Sequence, residues 1–216
     1  MNENKRNGFG TVVTVLLDLL VVAFVCYAVM GMFFSRRNGV LVAGGWSAFK
    51  YYTVLSNVFC SLSCLCSALC FMLRKEPVLP SWLYLFRLMG SSVVTVTLLV
   101  VLFFLGPRFG YPLMFEGVNL WLHLIAPVLA IIGQLMLKTG NRLPFSASLW
   151  GIVPTAVYGV VYITVNAVGW TGKSNPATDI YRFLYWGWGV GAVIFLGIFL
   201  INWLVSVLFW RTGRRR

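Results

Sequence analysis

The chain contains a single histidine, His123, and it lies inside a long apolar stretch. An imidazole is the side chain best suited to take and return a proton near neutral pH. Thr53, in a different apolar stretch, is a polar residue that helix geometry brings to nearly the same depth. Two further ionisable residues, Asp18 and Arg87, also fall within apolar stretches. Ionisable groups at membrane depth are costly and mark functional positions by default. An Asp18–Arg87 ion pair would fix helix register; the alternative is a second polar site in the inner half of the bilayer. Asp18 lies too deep to partner His123.

Motifs of soluble enzymes are absent. There is no GxSxG elbow, HExxH, GxGxxG or Walker loop, and the missing serine elbow also argues against a rhomboid-like protease. The five cysteines do not build a metal site. At about 100° per residue, Cys60 and Cys64 share one helix face while Cys66 and Cys70 take the opposite one, and Cys26 lies on another segment. Four ligands cannot converge from two sides of one helix, so the cysteines read as small packing residues. No metal and no cofactor is expected.

The elements that must position Thr53 and His123 follow from composition. Of 216 residues, 60% are hydrophobic and 10% charged, and the mean hydropathy is +0.87. Soluble domains carry roughly 25% charge. This balance excludes a soluble globule, a disordered chain and an ordinary nucleic-acid-binding domain, despite a net charge of +12. Six stretches reach the roughly 20 apolar residues a spanning helix needs. They run Phe9 to Phe34, Phe49 to Leu73, Trp82 to Leu105, Val118 to Leu137, Ser146 to Val168 and Phe183 to Trp210. Short connections leave one all-α domain over residues 1–216. The first stretch is too long for a signal-peptide core and no small-residue cleavage site follows it.

Lys and Arg set the orientation. Lys5, Arg6, Arg74, Lys75, Arg87, Lys138, Arg142, Arg211, Arg214, Arg215 and Arg216 fall on one side; Arg36, Arg37, Lys50, Arg108, Lys173 and Arg182 fall on the other. The richer side is cytoplasmic by this rule, and it holds both termini. Compact loops and the Arg-rich tail fit a bacterial inner membrane. Aromatic residues at the span ends, Tyr52 and Tyr181 among them, read as interfacial belts.

With that orientation, His123 lies about five residues inside the fourth helix from the outer side, or ~8 Å deep. Thr53 lies at nearly the same depth on the second helix, and Asn166 closes the fifth at that level. Thr53, Asn57, Cys60 and Cys64 share one face; Glu116, Asn119, His123 and Gln134 share another; Thr155, Tyr158, Tyr162 and Asn166 share a third. Polar stripes in a bilayer turn inward. Three of them predict a cavity open to the outer side, or alternatively interhelical hydrogen bonds that tie the bundle.

Three segments resemble a known family. Lys50-Tyr51-Tyr52-Thr53-Val54-Leu55-Ser56-Asn57 is similar to a "(K/R)-Y-(F/L)-T-x-L-(S/T)-N" segment, Leu122-His123-Leu124-Ile125-Ala126-Pro127-Val128-Leu129 to "L-H-x-x-(A/V/L)-P-x-L", and the stretch Leu149 to Tyr162 to a fifth helix with a proline and spaced tyrosines. They occur in this order in the six-span membrane family of the androgen-induced-gene-one protein and the androgen-dependent TFPI-regulating protein, which has bacterial relatives. The family's "Y-P-(Y/F)-x-F" loop signature departs here, with Asn175 before Pro176, so a lid formed by that loop would differ in specificity.

Animal members of that family hydrolyse fatty acid esters of hydroxy fatty acids with a threonine and a histidine. The resemblance implies Thr53 as nucleophile and His123 as general base, later general acid. Asn57 is then the first candidate oxyanion donor, with Asn166 and Tyr162 behind it. Lys50, one turn from Thr53, would hold a product carboxylate. Glu116 or Asp179 would orient His123. The expected partners are membrane lipids and a long-chain acyl ester, with no nucleic acid. Two other functions compete: a non-catalytic lipid- or small-molecule-binding protein or small transporter, and a structural assembly partner.

Overall fold

The computed structural model describes residues 3–34, 44–74, 78–139 and 143–213. Arg36, Arg37, Lys75, Arg142, Arg214, Arg215 and Arg216, which enter the charge count, lie outside the described residues. Six helices are long and apolar enough to cross a membrane. They are α1 (Glu3–Phe34), α2 (Tyr52–Arg74), α3 (Ser81–Phe109), α4 (Val118–Met136), α5 (Phe145–Val168) and α6 (Trp188–Gly213). Among the described residues the only strand-like pairing is a single bridge between Leu79 and Thr139.

The most enclosed helix is α3, 67% buried over its apolar window against 22% for α6. It packs against α1's neighbours α2 and α4 on one flank and α5 and α6 on the other. Small residues allow this close approach, because helices in lipid gain little from burying apolar surface and depend on backbone proximity. A Cβ at Gly90 of α3 would stand 3.0 Å from the Cys60 Cα and still closer to the Ser63 hydroxyl. The α2 face turned to α3 is correspondingly serine- and cysteine-rich: Ser56, Cys60, Ser63, Cys64 and Ser67 are all buried. Cys60 and Cys64 lie on that inner face with their sulfurs 3.9 Å apart, while Cys66 is exposed.

Two helices carry a π-helical turn, Val101–Leu105 in α3 and Trp121–Ile125 in α4. Each stands just before a proline, Pro107 or Pro127. Proline has no N–H and its ring crowds the preceding turn, so the turn widens by one residue. His123 sits in the middle of the second.

The sixth helix begins at Trp188, five residues later than its apolar run predicts. The run Phe183 to Gly187 instead folds back against the bundle, and Phe183 and Leu184 are buried. Asp179 accepts the Leu184 N–H at 3.1 Å, and Gly187 has φ +90, open to glycine but strained for other residues. The third helix in turn runs on past Leu105 to Phe109.

Candidate active site

The first turn of α2 leaves backbone N–H groups without helical partners. The chain reaches it through a 3-10 turn, Gly45–Lys50, and an extended Tyr51 (φ -85, ψ 133). Thr53 is the second residue of the helix, 8% exposed. The hydroxyl of Tyr181 meets this turn from the loop before α6. It accepts the Tyr52 N–H at 2.7 Å and has Thr53 and the Tyr158 hydroxyl beside it.

His123 approaches from α4 and is 5% exposed. Its Nδ1 lies 2.6 Å from the Met114 carbonyl oxygen. A carbonyl only accepts, so Nδ1 carries the proton and Nε2 keeps its lone pair. That is the tautomer a general base needs. Thr53, His123, Tyr181 and Asn119 line one small cavity of about 30 Å³, room enough for a water molecule. Nucleophile and base candidates therefore face one space.

Neither acid expected to orient His123 is the partner of Nδ1. The Met114 carbonyl takes that place, two residues before Glu116, which is exposed on the turn leading into α4. Glu116 is off the His123 stripe because α4 begins only at Val118, after Gly117 with φ +58. Asp179 is fully buried and otherwise engaged: it accepts from Tyr162, from Ser174 at 2.5 Å and from the Leu184 N–H. It folds the 174–184 loop rather than holding the histidine.

The expected oxyanion donors are spent as well. Asn57 donates to the Thr53 carbonyl at 2.8 Å and to the Leu122 carbonyl at 2.9 Å. The reason lies in α4. Ala126 N–H bonds back to Trp121 across the π turn, so the Leu122 carbonyl would next need the N–H of residue 127, which is proline. Asn57 supplies the missing donor and thereby clamps the Thr53 helix to the His123 helix. Tyr162 donates to Asp179. Asn166 donates to the Tyr162 carbonyl at 2.9 Å and accepts from Thr178 at 2.8 Å, tying α5 to the same loop. Replacing Asn57 with Leu strands the Leu122 carbonyl. The expected result is about 1–2 kcal/mol lower stability together with reduced turnover, checked by thermal unfolding in detergent beside an activity assay.

A second space dominates the fold. A groove of about 760 Å³ runs between α2 and α5, over Met89 and Val93 of α3. Its walls are almost wholly apolar, among them Phe49, Leu55, Phe59, Leu62, Val157 and Val161. Leu62 is 51% and Val161 56% exposed, so the groove opens sideways, on the outer surface of the bundle. From Tyr52 to Leu62 it follows α2 for ~15 Å, about the hydrocarbon depth of one leaflet. Lys50, exposed, stands at its mouth with Asn166 and Thr178. The three polar stripes thus do not meet in one open cavity. Tyr52 divides them: it lines the groove but not the Thr53–His123 cavity, and its hydroxyl bonds Thr155 at 2.7 Å.

No family model, no curated protein and no solved structure matches this chain. The reading of the site rests on its own geometry and on the three short segments. Tyr52, Tyr181 and Met114 are the site residues that sequence reasoning missed. Tyr52 and Tyr181 look like interfacial belt residues until the loop that carries Tyr181 is seen folded inward, and Met114 contributes only its backbone.

Proposed function

We propose that the chain is a multi-pass bacterial inner-membrane hydrolase of lipid carboxylic esters, fatty acid esters of hydroxy fatty acids or similar, with both termini cytoplasmic. The observation that carries this reading is the shared cavity of Thr53 and His123, with the histidine held as the tautomer whose free nitrogen is Nε2. In the reaction, Thr53 Oγ attacks the ester carbonyl and gives its proton to Nε2. The tetrahedral intermediate collapses, the C–O bond to the alcohol breaks, and the imidazolium protonates the departing oxygen. Water, activated by the same nitrogen, attacks the acyl-threonine; its collapse releases the acid and returns the proton to Thr53. The apolar groove supports a long acyl chain, and the Lys50 ammonium at its mouth suits a carboxylate.

One observation favours a second reading, lipid binding without chemistry. The groove is bounded by Tyr52, and Thr53 lies behind it. A long-chain fluorophosphonate separates the two. A covalent adduct mapped by mass spectrometry to Thr53, absent in Thr53→Ala and His123→Ala, is expected. Folded wild type that stays unlabelled would establish the binding reading, and labelling that survives Thr53→Ala would name another nucleophile.

A further inference from the structure

We propose that Tyr181 is the oxyanion donor of this site, an inference that rests on the Thr53–His123 reading. An ester hydrolase needs a donor placed where the carbonyl oxygen gathers charge, and the three amide and phenol groups that sequence reasoning offered are engaged elsewhere. Of the donors on the Thr53–His123 cavity, Asn119 gives an N–H to the Leu113 carbonyl at 3.2 Å, whereas the Tyr181 hydroxyl is bonded to the turn that carries Thr53.

Its hydroxyl is placed by backbone groups. The oxygen accepts from Tyr52 N–H at 2.7 Å, with the Thr53 N–H beside it. One proton is left to donate. The hydroxyls beside it are those of Thr53 and Tyr158, and Tyr158 gives its own proton to the Lys50 carbonyl at 2.8 Å. An N–H donated to a phenol oxygen polarises its O–H and strengthens the bond it gives. Burial pushes the Tyr181 phenol well above its ordinary range, partly offset by those backbone bonds. The group therefore stays protonated, and a donor, throughout the neutral range.

The ring is held rigidly. It lies against Tyr162 (centroids 6.1 Å apart, 28° between planes) and Phe183 (5.2 Å, 22°), and Asp179 and Asn166 fasten the loop that carries it. Tyr181 also closes the same small cavity as Thr53 and His123, so nucleophile, base and donor surround one space. As Thr53 Oγ forms its bond to the carbonyl carbon, the Tyr181 O–H passes from Oγ to the adjacent oxyanion. No proton is transferred in that step; a hydrogen bond changes acceptor.

The test compares hydrolysis of p-nitrophenyl dodecanoate in detergent micelles by wild type, Tyr181→Phe and protein carrying fluorinated tyrosines at position 181. Tyr181→Phe is expected to lower kcat by about 10²–10³-fold and to change KM by no more than about twofold. In the fluorotyrosine series kcat is expected to follow phenol acidity, a dependence that packing alone does not produce. Tyr181→Phe within about threefold of wild-type kcat, or a flat fluorotyrosine series, overturns the inference while leaving Thr53 and His123 in place. Should Tyr181→Phe not fold, the fluorotyrosine series decides. Wild-type hydrolysis that persists in Thr53→Ala overturns the parent reading and this one with it.

Discussion

Thr53→Ala and His123→Ala are each expected to lower kcat for ester hydrolysis by about 10³–10⁴-fold, and the double variant no further. The two side chains do one job. A threonine hydroxyl without a base is barely nucleophilic, and a base without the hydroxyl has only water to activate. Removal of either removes the same step, so the losses cannot add. KM is expected to move little, because the groove that would take the acyl chain is walled by Phe49, Leu55, Phe59, Leu62, Val157 and Val161 and not by Thr53 or His123. Thr53→Ser keeps the hydroxyl on the same turn and is expected to stay within about tenfold of wild type. Steady-state kinetics on the four proteins checks this. Additive losses in the double variant would mean that Thr53 and His123 act independently.

How far the sequence reaches is clearest at these residues. Depth and face depend only on a rise of ~1.5 Å and a turn of ~100° per residue, and they bring Thr53 and His123 into one layer without any tertiary information. The same arithmetic fails for Asn57 and Glu116. The Glu116 assignment assumes that α4 reaches back to it, whereas the helix begins at Val118, and the π turn before Pro127 leaves a carbonyl that draws in Asn57. A signal was present, since a proline four residues after the histidine forces some irregularity there, but which donor would answer it depends on how α2 lies against α4. Tyr181 was hidden for a different reason. Phe183-Leu184-Tyr185-Trp186 extends the apolar run of α6, so composition assigns it to lipid. Only the buried Asp179 and the positive φ at Gly187 fold it back toward Thr53.

The ion pair at the other end of the bundle sets the second large effect. Asp18 on α1 and Arg87 on α3 are both 0% exposed, and Arg87 Nη2 lies 2.8 Å from Asp18 Oδ1 with Nε at 3.2 Å. The guanidinium also donates to Ser91 and, at 3.4 Å, to the Ala130 carbonyl of α4. Gly133 of α4 makes room for it: a Cβ there would stand 3.1 Å from Nη2 and 3.5 Å from Asp18 Oδ1. Three helices therefore depend on one charge pair, which fixes their mutual register. Arg87→Met leaves a buried carboxylate without its counter-charge, and the expected loss is about 3–5 kcal/mol. Asp18→Leu leaves the reverse charge and is expected to cost a similar amount. The Asp18→Leu, Arg87→Met double variant removes both charges and is expected to recover most of that loss, because the desolvation penalty disappears along with the attraction. Thermal unfolding of the four proteins in one detergent gives the coupling directly. A double variant as unstable as the two single ones combined would show that the arginine's bonds to Ser91 and α4, and not its charge pairing, hold the helices together.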